Sequence, residues 1–447
     1  MQHDKLGTMP MGKLLFTMSG PIIISMVIQA LYNIVDSMFV ARYSQEALDA
    51  VSLCYPIQML IIAVSVGCAL AVQALLARAL GSHEVHKASS IVTHGILIAI
   101  TNSIIFALFG LFGSKFFLSL FSNSQSIIDQ GTVYMQICTI FSFGVFIQIT
   151  YERIMQASGN PIYNMIIQGI GAITNIILDP IFIFGYFGLP ALGITGAAIA
   201  TIIGQILGMT LGIIITTKKV AQAKFNLKGF QFDTVLLKQM FKIAIPAILM
   251  NSIMSIMTVF MNMILVPYST LAVSVYSIYF KLQQFLYMAV NGLSNAVIAI
   301  ISYNYGARNK ERVNACIKMS LLISIVIMVL GTIVFECFPT QLLLLFNADQ
   351  AMLDIGIIAL KVISTSFVFG GISVMICSIL QSLDGSHQSL IISLLRQLII
   401  IIPLAFVLSK MYGLNALWLA FPITEIISCM LSFYFLKVQK KAVVEKL

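Results

Sequence analysis

The sequence predicts an all-α polytopic membrane protein, with about twelve transmembrane helices in two six-helix bundles related by a pseudo-two-fold axis along the membrane normal. Three observations carry this prediction. The 447 residues are 59% hydrophobic and 9% charged, with a mean hydropathy of +1.00, whereas about a quarter of a soluble domain is charged. Apolar runs long enough to cross a bilayer recur along the chain. The second half of the sequence repeats the first at a constant offset.

The predicted spans follow from cutting the chain at charged and Gly-, Pro- or Asn-rich breaks. Each has roughly 20 residues or more, enough to cross a hydrocarbon core about 30 Å thick. In order they are residues 14–41, 51–77, 91–112, 128–152, 162–184, 195–216, 241–268, 273–302, 316–336, 353–380, 389–410 and 415–436. The polar N-terminus enters the first span without a small-residue cleavage pattern, so we expect that span to be a retained anchor.

The basic residues predict the orientation of the chain. With the N-terminus inside, 19 of the 25 Lys and Arg residues fall in cytoplasmic segments or at the cytoplasmic ends of spans, and three lie well inside spans. The outer segments hold only Arg42, Lys115 and Lys410. This asymmetry places both termini in the cytoplasm, and we expect a plasma-membrane protein. Because the basic residues lie in short loops beside spans, the net charge of +9 does not indicate a nucleic-acid partner.

An offset of 225 residues defines an internal repeat. It aligns Pro21 with Pro246, Gly81 with Gly306, Gln156 with Gln381, Gly188-Leu189 with Gly413-Leu414 and Ala191-Leu192 with Ala416-Leu417. We therefore predict an N-terminal bundle at 1–216, a cytoplasmic linker at 217–242 and a C-terminal bundle at 243–447. Six spans is an even number, so the halves share one orientation, as in transporters built from parallel repeats.

Ionisable residues inside the spans are the candidates for function. They are Asp36, Asp179, Lys281, Lys361, Arg396 and Glu425, with Glu152, Glu336 and Asp354 nearer the ends of spans. An Asp at the centre of a membrane helix costs roughly 2.5–3.5 kcal/mol, so it indicates a function by default. The repeat aligns Asp36 with Met261 and Asp179 with Leu404. Any acidic site therefore belongs to the N-terminal half alone.

Each of the two aspartates has an asparagine one helical turn before it. Asn175 precedes Asp179, and Asn33 precedes Asp36, so each pair shares a helix face. Pro180 has no N–H for the carbonyl of the residue four positions earlier, which leaves an oxygen unpaired beside Asp179.

Two carboxylates would converge if the first and fifth spans face each other. Adjacent anions in a low dielectric share a proton or bind a cation. Sodium prefers several oxygens, which Asp36, Asn175 and Asp179 would supply with a hydroxyl of Thr195 or Thr201. The alternative is that neighbouring helices satisfy each aspartate separately.

These residues together resemble the multidrug and toxic compound extrusion (MATE) family, in the branch with its acidic site in the N-terminal half. The resemblance covers nearly the whole chain and rests on Pro21 before Asp36, Asn175-x-x-x-Asp179-Pro180, Gly-Ala-Ala-x-Ala-Thr201, the turn Gln156-Ala-Ser-Gly-Asn-Pro161 and Ala-Arg-x-Leu-Gly81.

The resemblance implies a V-shaped pair of bundles that exports cationic or amphipathic compounds in exchange for sodium or protons. It implies a coupling-cation site at Asp36, Asn175, Asp179 and Thr201, with Na⁺ as a candidate ion. Other members carry acids in the seventh and tenth spans. This sequence has none well inside either, so no C-terminal acidic site is expected.

Other polar residues have candidate cavity or gating roles. These are Asn33, Pro21, Pro180 and Lys281, with Pro21 as a kink in the first helix. Lys281 either lines the central cavity or extends its amine toward the interface. Arg396 either lines the cavity or forms a structural ion pair with Glu425, and we favour the pair.

The sequence favours a secondary active antiporter for multidrug efflux by alternating access. The alternative is a flippase or exporter of a lipid-linked or anionic metabolite on a related two-bundle fold. No P-loop, HExxH or nucleophile elbow occurs, which argues against an enzyme and against ATP-driven pumping. We expect no cofactor, H⁺ or Na⁺ as the coupling ion, small organic substrates, membrane lipid around the chain, and a monomer.

Overall fold

The computed structural model describes residues 5–220, 225–226 and 230–447, and this part of the chain contains α-helices but no β-strand. The helices are α1 Lys5–Thr8, α2 Met11–Tyr43, α3 Gln45–Gly81, α4 Val85–Ser119, α5 Gln125–Ile140, α6 Phe143–Ala157, α7 Pro161–Phe184, α8 Ile194–Lys219, α9 Thr234–Leu265, α10 Thr270–Gly306, α11 Lys310–Cys337, α12 Pro339–Leu344, α13 Gln350–Ser364, α14 Phe367–Ser382, α15 Ser386–Leu394, α16 Ile401–Tyr412, α17 Leu414–Leu417 and α18 Ala420–Val443.

Ten segments of the described chain are long and apolar enough to cross a membrane, and there are twelve if two bent helix pairs each count as one span. The bent pairs are α5 with α6, at 43°, and α13 with α14, at 49°. This confirms the prediction of an all-helical membrane protein. Spans 128–152 and 353–380 differ from the expected continuous segments, because a bend interrupts each one. Hydropathy did not reveal the bends, since the residues on both sides are equally apolar.

The chain divides into two compact units. The N-terminal unit is Ile24–Ile248, and the C-terminal unit is Leu249–Leu447 together with the chain up to Ile23. Helices α2 and α9 each contribute to both units, and each changes unit two residues after an internal proline, Pro21 or Pro246. The predicted bundle boundaries at 216 and 242 stay a prediction. Residues 221–224 and 227–229 of the predicted linker lie outside the described residues.

Glycines bring α7 and α8 close together in the N-terminal unit. A Cβ on Gly204 would lie 2.7 Å from the carbonyl oxygen of Gly171. A Cβ on Gly196 would lie 2.5 Å from the backbone of Phe182. Small residues of this kind let membrane helices approach at backbone distance. Gly185, at φ +75°, ends α7 in the left-handed conformation and lets the chain turn back into α8.

A hydrogen bond joins Asp233, the residue before α9, to His94 on α4. The carboxylate of Asp233 caps α9 by accepting from the backbone N–H groups of Val235 at 2.8 Å and Leu236 at 3.0 Å. The N–H of Asp233 donates to Nε2 of His94 at 3.1 Å. Helix α9 therefore begins inside the segment predicted as a linker, at Thr234.

The C-terminal unit packs around aromatic rings. Tyr279 and Phe421 meet edge to face at 5.7 Å, and Phe335 and Phe367 do so at 4.9 Å. Such pairs add about 0.5–1.5 kcal/mol beyond the area they bury. The N-terminal α1 is held here too, because the guanidinium of Arg312 donates to the Leu6 and Met9 carbonyls, each at 2.9 Å.

Candidate cation site

The predicted cation-site residues lie together in the N-terminal unit. Asp36 lies on α2, Asn175 and Asp179 lie on α7, and Thr201 lies on α8. Asp179 and Asn175 are 0% and 3% exposed, while Asp36 and Thr201 are half-buried. The glycine contacts of α7 with α8 explain how Thr201 comes within reach of Asn175, since they hold the two backbones close at the same level.

Hydrogen bonds join these residues. The Asn175 amide nitrogen lies 3.2 Å from Oδ1 of Asp179 and 3.3 Å from Oγ1 of Thr201, and it donates to both. The carboxyl group of Asp36 lies near that of Asp179, and the two groups interact electrostatically. A carboxylate only accepts, so a hydrogen bond between the two groups would need one proton between them. The geometry brings all four predicted side chains into one cluster.

Three buried oxygens in this cluster have no hydrogen-bond partner among the residues that the structure describes. They are Oδ1 of Asp36, Oδ1 of Asn175 and Oδ2 of Asp179. Leaving a buried acceptor unsatisfied costs about 1–3 kcal/mol. A proton or a hard cation would satisfy these atoms, because both interact with carboxylate and amide oxygens. The donor set therefore fits the proton and sodium alternatives alike.

Two tyrosines beside the aspartates were missed in the sequence. Tyr32, four residues before Asp36 on α2, interacts electrostatically with Asp36 and Asp179. The Tyr134 hydroxyl on α5 accepts a hydrogen bond from the Gln58 amide at 2.9 Å, and Tyr134 interacts with Asp36. The four-residue spacing is a signal that could have found Tyr32. Helical spacing gives no such signal for Tyr134, because it comes from a distant part of the chain.

The residues with candidate gating roles are dispersed. Pro21 and Pro180 lie inside α2 and α7. Asn33 is exposed, and its carbonyl accepts from the Ser37 hydroxyl at 2.8 Å. Lys281 is exposed in the C-terminal unit, with its amine 6.0 Å from the centre of the Phe346 ring. Cavity or gating roles for these four residues stay predictions.

Arg396 and Glu425 form an ion pair in the C-terminal unit. Nε of Arg396 lies 2.6 Å from Oε1 of Glu425, and the two side chains are 14% and 11% exposed. A second guanidinium nitrogen lies 3.4 Å from the Tyr287 hydroxyl. Arg396 lies in a π-helical turn, Leu395–Ile399, between α15 and α16. That the pair has a purely structural role stays a prediction.

Comparisons with known proteins agree along the whole chain. The model of the family described as MatE matches residues 21–181 and 246–407. The chain is 28% identical to the multidrug export protein MepA of Staphylococcus haemolyticus over 426 residues, covering 94% of this chain and 92% of that one. MepA of Staphylococcus saprophyticus is 25% identical over 423 residues, with the same coverage.

Solved structures show the same fold. A crystal structure of MATE in the straight conformation superposes with a TM-score of 0.92 at 21% identity, covering 100% of both chains. An outward-facing multidrug resistance MATE transporter of the MOP superfamily gives a TM-score of 0.91 at 21% identity, covering 99% of both chains. The two segments matched by the family model begin at Pro21 and Pro246, 225 residues apart, as the internal repeat requires.

Proposed function

The chain belongs to the MATE family, and from that premise we propose that it exports cationic or amphipathic compounds in exchange for protons or sodium by alternating access. Members of this family are ion-coupled transporters and not enzymes. The chain is accordingly a multi-pass membrane transporter related to the multidrug export protein MepA. The coupling ion, the substrate class and the residues that bind them are the parts we propose.

The observation that carries the proposal is the paired carboxyl groups of Asp36 and Asp179 with their unsatisfied oxygens. They come from α2 and α7, so binding of a cation at the pair joins two helices that electrostatic repulsion would otherwise push apart. We propose that Asp36, Asn175, Asp179 and Thr201 bind the coupling ion. Loading and unloading this cluster would then change how α2 packs beyond its Pro21 kink.

The same charge favours cationic substrates. A buried pair of carboxyl groups without a basic partner attracts positive charge, and a cationic substrate competes for the same negative potential as the coupling ion. Such competition gives exchange when it is combined with alternating access, because binding of one cation then disfavours binding of the other. We further propose that the protein acts as a monomer in the plasma membrane with both termini in the cytoplasm, an orientation supported by the distribution of its basic residues.

Transport in proteoliposomes tests the proposal. A fluorescent organic cation is loaded, and its export is followed under an imposed sodium gradient or an imposed pH gradient. We expect one gradient to drive export by the wild type, and we expect D36N and D179N each to lose most of it. The control is D354N, since Asp354 is exposed in the C-terminal unit and accepts from the Gln350 amide at 3.0 Å. If both asparagine variants export like the wild type, the assignment of the site is wrong.

A further inference from the structure

A second carboxyl group is buried in the N-terminal unit, and the cation site does not use it. Glu152 lies in the second half of α6 and is 7% exposed. The sequence placed it near the end of a span. Because α6 continues to Ala157, Glu152 instead lies inside that helix and among buried neighbours.

Glutamines surround the Glu152 carboxyl group. The Gln148 amide, one turn earlier on α6, donates to Oε1 at 2.9 Å. The Gln168 amide on α7 lies 3.0 and 3.1 Å from the two carboxyl oxygens. Its nitrogen must face Glu152, since the other orientation would set oxygen against oxygen. The oxygen of Gln168 then lies 3.3 Å from Oε1 of Gln29 on α2, so by the same argument the Gln29 amide must turn its nitrogen to that position and donate. We call Gln148, Gln168 and Gln29 the glutamine cluster.

The Glu152 carboxyl group has few electrostatic interactions with charged side chains. Among the described residues it forms no ion pair with a lysine, arginine or histidine. The next residue, Arg153, attracts it electrostatically, but the Arg153 guanidinium donates to the side-chain oxygens of Gln73 and Gln156, each at 3.2 Å. From α2, the Tyr32 phenol also interacts with it. The carboxyl group is thus held by neutral amides rather than by a cation in direct contact.

We propose that Glu152 is a second proton-binding carboxyl group of the N-terminal unit. An amide carries two N–H donors and an accepting oxygen, so the glutamine cluster suits both charge states of the carboxyl group. When Glu152 is ionised, the amide N–H groups donate to its oxygens. When a proton from water forms an O–H bond on one oxygen, one amide rotates and its oxygen accepts that O–H. Lysine or arginine could serve only the ionised state.

The repeat shows that the shared fold does not require this cluster. At the offset of 225 residues, Glu152 aligns with Cys377, Gln148 with Ser373, Gln168 with Ser393 and Gln29 with Met254. The N-terminal unit also makes room for the cluster, because a Cβ on Gly208 would lie 2.7 Å from Cδ of Gln148. A glutamate and three amides that occur in one half only are a feature of that half and not of the architecture.

Tyr32 connects Glu152 with the cation site. It interacts electrostatically with Asp36, Asp179 and Glu152, and it lies on the same helix as Asp36. The charge states of Glu152 and of the two aspartates therefore act on the same phenol. The role of Glu152 in transport rests on the proposed function, as a proton carried in addition to the ion at the aspartates. Its capacity to bind a proton does not rest on it.

Infrared difference spectroscopy against pH, on the full chain in lipid nanodiscs, tests proton binding directly. We expect a carboxylic-acid C=O band that titrates in the wild type, persists in the D36N/D179N double variant and disappears in E152Q. E336Q is the matched control. Glu336 is a half-buried glutamate of the C-terminal unit that accepts from the Ser364 hydroxyl at 2.9 Å, and this variant should keep the band. Identical titrating bands in E152Q and wild type would overturn the proposal.

Q148L provides a test that keeps Glu152 in place. Removing a donor to the ionised form disfavours that form, so the midpoint of the band should move to higher pH. An unmoved midpoint counts against the glutamine cluster and therefore against the proposal. The double aspartate variant separates the two hypotheses. A persisting Glu152 band alongside wild-type export by D36N and D179N would reject the proposed coupling site and leave Glu152 standing.

Discussion

The two units of this transporter differ in the partners of their buried carboxyl groups. In the N-terminal unit, the carboxyl groups of Asp36 and Asp179 meet with no basic partner among the described residues. In the C-terminal unit, Glu425 meets Arg396 at 2.6 Å. The repeat aligns the charged residues of each unit with uncharged residues of the other unit. Asp36 and Asp179 align with Met261 and Leu404, while Arg396 and Glu425 align with Gly171 and Ala200.

The packing of each unit follows from these differences between equivalent positions of the repeat. Gly171 lets α7 and α8 touch backbone to backbone, which brings Asn175 near Thr201. At the equivalent position the C-terminal unit has the long side chain of Arg396, and the helix there takes a π-helical turn. A π-turn inserts one residue and is often found at a functional or strained site. One unit is packed tightly around two neighbouring carboxyl groups, and the other accommodates an ion pair.

The largest expected difference between the units is in stability. R396M removes the partner of Glu425 and leaves a buried carboxylate alone, which should lower the free energy of unfolding by about 3–5 kcal/mol. D179N removes one of two neighbouring carboxyl groups, which repel each other when both are ionised. It should therefore change the free energy of unfolding little. Denaturant unfolding in bicelles measures both.

A double variant separates loss of charge balance from loss of packing. R396M/E425M should regain most of the stability lost in R396M, because replacing both members of a buried pair with apolar side chains is often neutral. If R396M is no less stable than D179N, the contrast between the units does not exist in energetic terms.

The sequence predicted much of the fold because hydropathy, glycine and proline are local signals. The span pattern and the repeat were readable from residues such as Pro21 and Pro246. The bends before α6 and α14 were not, since they contain no proline to mark them. Four side chains of the candidate site were predicted by helical spacing and by resemblance. The sequence indicated only that Glu152 lies near the end of a predicted span. Its glutamine neighbours become visible only in the packing of α6 against α7.

A moderate effect is expected where α7 touches α8. In G204A the added methyl group would lie 2.7 Å from the Gly171 carbonyl oxygen, so the helices must separate. Overpacking of this kind costs about 1–3 kcal/mol, and the separation should also weaken the contact between Asn175 and Thr201. Unfolding and ion-driven export are the two measurements.

G169A, on the partner helix α7, is the matched control. A methyl group there meets only the end of the Ile28 side chain, at 3.9 Å, and alanine favours the helix over glycine. It should therefore be neutral or slightly stabilising. Equal losses in G204A and G169A would show that close approach of the two helices is not what Gly204 provides.

The smallest expected effect tests whether the hydroxyl of Thr201 contributes to the site. T201V removes the acceptor of the Asn175 amide bond at 3.3 Å, in a position where the C-terminal half already has Ile426. A hydrogen bond between membrane helices is worth about 0.6 kcal/mol on average, which corresponds to about a threefold change in affinity. The concentration of coupling ion that half-saturates export should rise by that factor. T201S should restore it, and T210V, which removes an exposed hydroxyl bonded within α8, should leave it unchanged. A wild-type value in T201V would reduce the site to its carboxyl and amide groups, which come from Asp36, Asn175 and Asp179.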